Sequence, residues 1–312
     1  PTPPAELVQT LTRPAEDLLN RGGKRWRPLL MTLICETLGG GDAALPLTPL
    51  VEFPHTGSLI HDDIEDNSDE RRGKPAIHVQ YGLDTGVNSG SFLYFLPLVC
   101  LRDWDAPAER KNQVYQTWGE HLRRIHLGQA MDIAWHRDYS SLPSVAEYEL
   151  MCRLKTGVLA RMAAELGVYA APAATHGLAR VLGIAAENLG VGFQILDDVR
   201  NLRTGNPGKK RGDDVVEGKK SLPVILYLHQ QADQGGFVER CFSAARAGGT
   251  ASREVEELIA ALERAGTVEA ARARGAALIA EATGVLAGTA FDGYPVDVAA
   301  RRLLAGMTEL IR

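Results

Sequence analysis

Apolar residues recur along most of this chain three or four positions apart, the period of a helix with one buried face. Leu189, Phe193 and Leu196 are one such run. The spacing predicts helices over 144–170 and 178–203, and similar stretches cover nearly every other segment. No stretch alternates apolar and polar residues between hairpin turn signals, so strands are not expected. Breaks fall where Gly and Pro gather: Gly39-Gly40-Gly41, Arg72-Gly73-Lys74-Pro75, Asp105-Ala106-Pro107, Ala171-Pro172, Gly205-Asn206-Pro207-Gly208 and Gly248-Gly249. The chain therefore reads as all-α, an antiparallel helical bundle of ten or more helices around a central cavity. The chemically unusual groups run from about position 23 to 221, which predicts a single domain over 1–312. About the last eighty residues, rich in Ala, Arg and Glu, read as amphipathic bundle helices. Pro54 falls inside one predicted helix, removes a backbone donor there and predicts a kink.

Two of these helices carry carboxylates at helical spacing. One holds Asp62, Asp63 and Asp66, and the other Asp197, Asp198 and Asn201. Residues four apart share a helix face, so Asp62 stacks with Asp66, and Asp197 with Asn201. His55 and Leu59 extend the first stripe, and Gln194 the second. Bare carboxylates on one apolar-flanked face repel each other and call for a cation. Mg2+ prefers oxygen ligands and is commonly held by one or two carboxylates together with substrate phosphates. Asn201, being neutral, is the weaker ligand.

Cations follow each cluster. Arg71 and Arg72 precede Gly73, and the second helix leads to Lys209, Lys210 and Arg211, then to Lys219 and Lys220. Arg suits phosphate because its planar fork donates two parallel hydrogen bonds. Taken singly, each is also what an acidic helix end before a basic, solvated loop looks like. The same logic appearing twice tells against that. Gly22-Gly23-Lys24-Arg25-Trp26-Arg27-Pro28 joins two glycines, which permit close backbone approach, to three cations. Lys155-Thr156-Gly157 interrupts an apolar helix; its lysine either reaches out to solvent or turns inward to an anion.

The totals narrow the choice. With 34 basic and 39 acidic residues, the chain lacks the basic excess of a general nucleic-acid binder. Cys35, Cys100, Cys152 and Cys241 are scattered, with no Cys-x-x-Cys pair, and read as reduced residues of a cytoplasmic protein. No run of about eighteen apolar residues predicts a membrane span. The start, Pro-Thr-Pro-Pro, has no signal-peptide pattern, and the missing Met leaves a removed targeting segment open.

Together these segments resemble the trans-isoprenyl diphosphate synthases, the polyprenyl synthetase family. The likeness runs from about 21 to 228. It rests on Gly-Gly-Lys-x-x-Arg-Pro, the first Asp motif with its Arg-Arg-Gly, Gly128-Gln129-x-x-Asp132, Lys-Thr-Gly, Phe193-Gln194-x-x-Asp197-Asp198 and Gly218-Lys219, in that order. The resemblance implies a Mg2+-dependent prenyltransferase with two substrate sites. Asp62, Asp63 and Asp66 with Asp197, Asp198 and Asn201 would hold Mg2+ around an allylic prenyl diphosphate, through Asp62, Asp66 and Asp197 above all. Arg71, Lys155, Lys210 (or Lys209) and Lys219 would assist. Lys24, Arg27, His55 and Arg72 would bind isopentenyl diphosphate, and Thr156 and Gln194 would line the reacting centre. A homodimer is expected by the same analogy.

The resemblance also implies a growing chain that descends beneath the first Asp motif. Gly57 and Ser58 are small where bulky aromatics give the family's farnesyl product, which implies a longer one. Tyr94, Phe95 and His126 are then either the floor or ordinary core packing. The sequence from Asp62 to Ser68, the stretch from Asn88 to Phe95 and the final Asn201 resemble the family's geranylgeranyl-forming members of the eukaryotic type. Farnesyl or longer products, a class I terpene cyclase and a catalytically silent partner subunit are the alternatives. Lys24, Arg27 and Arg72 tell against the cyclase, and the retained aspartates against the silent subunit.

Overall fold

Helices form where the apolar period predicts them. The computed structural model describes residues 3–138, 141–172, 175–205 and 210–310. Among these the fold is all-α. The helices are α1 (Ala5–Asn20), α2 (Trp26–Thr37), α3 (Pro49–Glu65), α4 (Ile77–Tyr81), α5 (Leu83–Phe95), α6 (Leu98–Asp103), α7 (Ala108–Arg137) and α8 (Val145–Cys152). They continue with α9 (Val158–Ala170), α10 (His176–Arg203), α11 (Asp213–Glu217), α12 (Leu222–Gln230), α13 (Gly235–Gly248), α14 (Arg253–Arg264), α15 (Thr267–Ala287) and α16 (Val298–Leu310). Helix α3 is continuous across Pro54.

Two local features depart from the expectation. The predicted helix over 144–170 is divided by a π-helical turn, Arg153–Gly157, between α8 and α9. Close approaches surround that turn. A Cβ on Gly157 would lie 2.7 Å from the Glu187 carbonyl oxygen, and one on Gly190 2.7 Å from the Gly157 Cα, so only glycines let α10 pass this close. There is also a minimal hairpin, β1 (Glu70–Arg71) with β2 (Lys74–Pro75). Its two turn residues, Arg72 and Gly73, have φ of 55° and 74°. Positive φ at both central positions matches the twist of a two-residue hairpin, although it strains the arginine.

The contacts divide the described residues into two compact units. One comprises those of 1–122, 161–183 and 290–307, the other those of 123–160, 184–289 and 308–312. In the first, Ala15, Leu18, Ile60, Ile77 and Leu93 form a buried cluster among α1, α3, α4 and α5. Helices α3 and α5 meet at glycines: a Cβ on Gly57 would sit 2.6 Å from the Gly90 carbonyl oxygen. In the second, Tyr148, Val191, Ile195, Leu222, Phe242 and Ile259 belong to a larger cluster. Helix α8 there begins on a capping box, with Ser144 Oγ accepting from the Glu147 N–H and the Glu147 carboxylate accepting from the Ser144 N–H. No helix of the described residues is long and apolar enough to cross a membrane.

Candidate active site

In the first unit Asp62 and Asp63 of α3, and Asp66 at its C-cap, have two different jobs. Asp63 is fully buried, and Arg71 donates to it from Nε at 2.8 Å and also from Nη2. The same Nη2 lies 3.5 Å from Asp62. The hairpin turn carries Arg71 back over the end of α3, so Asp63 serves as its anchor. Asp62 and Asp66 are only half-buried.

The cations beyond form one set. Arg72 donates to the carbonyl oxygens of Gly22 and, at 3.3 Å, Leu18. Its guanidinium crosses Gly23, where a Cβ would sit 2.8 Å from Nη2. Gly23, with φ of 135°, therefore makes room for an arginine. Arg27 is 8% exposed, lies 4.6 Å over the Trp26 ring, and has no hydrogen-bond partner for its buried Nε. Burial pulls its pKa down to about 10, with Glu52 acting against that. His55 is held well below its usual pKa, first by burial and then by Arg27, Arg72 and Arg71, and is neutral. Lys24 is exposed.

In the second unit Asp198 is buried and Asp197 is more open. Tyr148 donates to Asp198 Oδ2 at 2.6 Å, and Gln194 Nε2 donates to its Oδ1 at 2.9 Å. Burial pushes the Asp198 carboxyl up to about 6, while those two donors pull it back. Thr156 in turn donates to Gln194 Oε1 at 2.9 Å. Lys155 turns inward and pairs with Asp132 at 2.5 Å. Lys219 pairs with Glu217 at 2.6 Å. Lys210 is exposed, and Lys209 lies outside the described residues.

Asn201 is a correction. It is fully buried, accepts from the Asp214 N–H at 3.2 Å and donates, at a long 3.4 Å, to the Lys210 carbonyl. Its own carbonyl accepts from the Gly212 N–H at 3.0 Å. It clamps the loop that carries Lys210 and is not turned toward a metal.

Among the described residues no three His, Cys, Asp or Glu side chains gather where they could hold a metal ion by themselves. Mg2+ takes few protein ligands and completes its shell with phosphate and water oxygens. Asp62 and Asp66, half-buried and four residues apart in the first unit, and the more open Asp197 in the second, are each oxygen donors of the kind Mg2+ takes.

The family model described as polyprenyl synthetase matches residues 8–262. The chain belongs to the polyprenyl synthetase family. It is an enzyme, a trans-prenyltransferase that elongates prenyl diphosphates. It is 36% identical over 231 residues to the geranylfarnesyl diphosphate synthase of Aeropyrum pernix, covering 71% of each chain. The solved geranylgeranyl pyrophosphate synthetase from Pyrococcus horikoshii Ot3 superposes with a TM-score of 0.85 at 27% identity, covering 99% of this chain and 91% of that one. The polyprenyl synthase from Caulobacter crescentus CB15, complexed with calcium and isoprenyl diphosphate, gives 0.82 at 26%, covering 96% and 88%.

For this polyprenyl synthetase the residues expected to govern chain length separate. Tyr94 is buried, 5.5 Å from the His61 ring, and its phenol is raised by burial and by the Glu65 and Asp62 carboxylates. Phe95 is 66% exposed, because one helical step turns it onto another face of α5. His126 is exposed on α7. Neither forms a floor within this chain. Gly57 is small for the crossing with Gly90 and leaves no open wall, so only Ser58, half-buried and donating to the His55 carbonyl at 2.8 Å, keeps that role.

Three residues of the site carried no role in the sequence reading. Asp132 lay inside a quoted motif, and its spacing from Gly128 places it one turn along α7, but nothing paired it with Lys155. Tyr148 gave no signal at all. Lys220, buried, donates to the carbonyl oxygens of Trp135 at 2.8 Å and of Asp138 at 2.5 Å, and so ties the segment bearing Lys219 to the end of α7.

Proposed function

We propose that this polyprenyl synthetase condenses isopentenyl diphosphate with an allylic prenyl diphosphate, with Mg2+, and stops at geranylgeranyl diphosphate. The observation that carries the reading is the buried Arg27, its Nε unpaired, beside Arg72, Arg71 and a neutral His55. A buried guanidinium with an open donor is built for an anion that arrives from outside. A cyclase needs no such second diphosphate site, and a silent subunit has no reason to keep one.

Asp62, Asp66 and Asp197 would hold Mg2+, with 1–312 acting as one catalytic domain. Bound there, Mg2+ supplies charge neutralisation as diphosphate leaves the allylic carbon. Arg71, Lys155, Lys210 and Lys219 add fixed positive charge to that leaving group. Asp63 and Asp132 aim Arg71 and Lys155. Arg27, Arg72 and Lys24, with His55, hold isopentenyl diphosphate so that its double bond reaches the cationic carbon. Gln194 and Thr156 set oxygen atoms beside that carbon. The proton lost after bond formation passes to the departed diphosphate.

Leu83, Val87 and Phe95 stand about one and two turns apart on α5 at 58%, 45% and 66% exposure. This apolar line supports a homodimer, since a second copy would cover it. The four cysteines are free, three of them buried, which supports a reducing, cytoplasmic setting.

Incubation with isopentenyl diphosphate, Mg2+ and each of dimethylallyl, geranyl and farnesyl diphosphate tests the reading, with products sized after dephosphorylation. A twenty-carbon alcohol is expected. The likeness to a geranylfarnesyl diphosphate synthase favours a twenty-five-carbon product as the second reading. A hydrocarbon formed without isopentenyl diphosphate would point to a cyclase. Ser58→Phe should shorten the product by one isoprene unit, because an aromatic ring is placed one turn before Asp62, and an unchanged chromatogram sinks that assignment.

A further inference from the structure

We propose that Tyr148 is a positioning residue that sets the direction of a four-residue hydrogen-bond chain, so that Thr156 faces the reacting carbon with oxygen lone pairs and not with a proton. The proposal rests on the placement of Thr156 given above.

The chain is Tyr148, Asp198, Gln194, Thr156, with links of 2.6, 2.9 and 2.9 Å. Its direction follows from what each group can give. A carboxylate only accepts, so Gln194 must turn its NH2 toward Asp198. The other end of that amide is then an oxygen, and it faces Thr156. Thr156 has one proton and spends it on that oxygen. What remains on its hydroxyl is electron density, the polarity that suits a neighbouring carbocation.

Tyr148 keeps the carboxylate in this attitude. It is 1% exposed in the middle of α8, and its hydroxyl occupies Asp198 Oδ2. That leaves Oδ1 for Gln194, one turn earlier on α10. The Lys219 ammonium also acts on Asp198. Without the phenol, Asp198 is free to swing toward Lys219, and Gln194 is free to flip its amide. Thr156 can then present its proton to the cation, the wrong sign for catalysis.

The test is a kinetic cycle on the full chain with saturating Mg2+. Tyr148→Phe is expected to lower kcat about tenfold, the size of one lost oriented hydrogen bond, with both KM values within about twofold. Thr156→Val should lose a similar factor, and Thr156→Ser should recover most of it. The double variant Tyr148→Phe/Thr156→Val should be no slower than Thr156→Val, since the phenol acts only through that hydroxyl. A phenol that merely packs would lower the melting temperature and give losses that multiply, which would overturn the proposal. If Tyr148→Phe does not fold, the Thr156 variants decide alone: Thr156→Ser no faster than Thr156→Val overturns the proposal. An unchanged kcat for Thr156→Val also overturns it. Turnover by the unaltered chain decides the functional reading separately.

Discussion

Asp62→Ala should lower kcat about a thousandfold while changing the stability of the fold by no more than about 1 kcal/mol. Asp62 is half-buried, and Arg71, which approaches it at 3.5 Å, is held more closely by Asp63. Removing Asp62 takes away a magnesium ligand and leaves that closer pair in place. Asp63, its immediate neighbour, should behave differently. It is fully buried and receives Arg71 from two nitrogens. Asp63→Ala leaves a guanidinium without its carboxylate, a loss on the order of 3 kcal/mol for one partner of a buried pair. Activity falls there because Arg71 is misaimed, and the melting temperature falls with it. Thermal melts beside kcat at saturating Mg2+ check both. If Asp63→Ala melts like the parent chain while Asp62→Ala is the one that unfolds, the division of labour within the motif is wrong.

The helical period and the Asp motifs were legible because both are local. Spacing of three and four fixes which residues share a face, and a carboxylate pair on one face has few uses. What spacing cannot supply is the partner of that face. Gly57 reads as a gap left for a substrate, but α5 fills it at Gly90. Phe95 reads as a floor beside Tyr94, but one residue of helical advance carries it to the surface. Asn201 reads as a weakened metal ligand. In the fold it is the one residue of its motif that must both accept and donate, from the Asp214 N–H and to the Lys210 carbonyl, and an aspartate cannot donate. The two glycines at 22 and 23 read as a cradle for an anion. Gly23 instead clears a path for Arg72, which is distant in sequence, and only the folded chain brings those two together.

Arg27→Met should weaken binding of isopentenyl diphosphate and strengthen the fold. Arg27 is 8% exposed with an unsatisfied Nε, and its charged state is disfavoured enough to bring its pKa to about 10. A shift of that size corresponds to roughly 3 kcal/mol at neutral pH, in the direction that penalises the folded state. The sign is fixed by the chemistry: a base whose pKa falls on folding destabilises the fold wherever it is protonated, and that penalty fades only as the pH rises through 10. Glu52 offsets part of it, and the Trp26 face beneath the guanidinium another part. Methionine has a similar reach and no charge, so Arg27→Met should raise the melting temperature by several degrees. The same change removes charge-assisted hydrogen bonds to the incoming diphosphate, and KM for isopentenyl diphosphate should rise about a hundredfold, with KM for the allylic substrate little changed. Inorganic diphosphate without Mg2+ should stabilise the parent chain against heat and Arg27→Met much less. A variant that melts lower than the parent, or that loses affinity for both substrates equally, would mean that Arg27 is held by the fold for its packing and not kept open for a ligand.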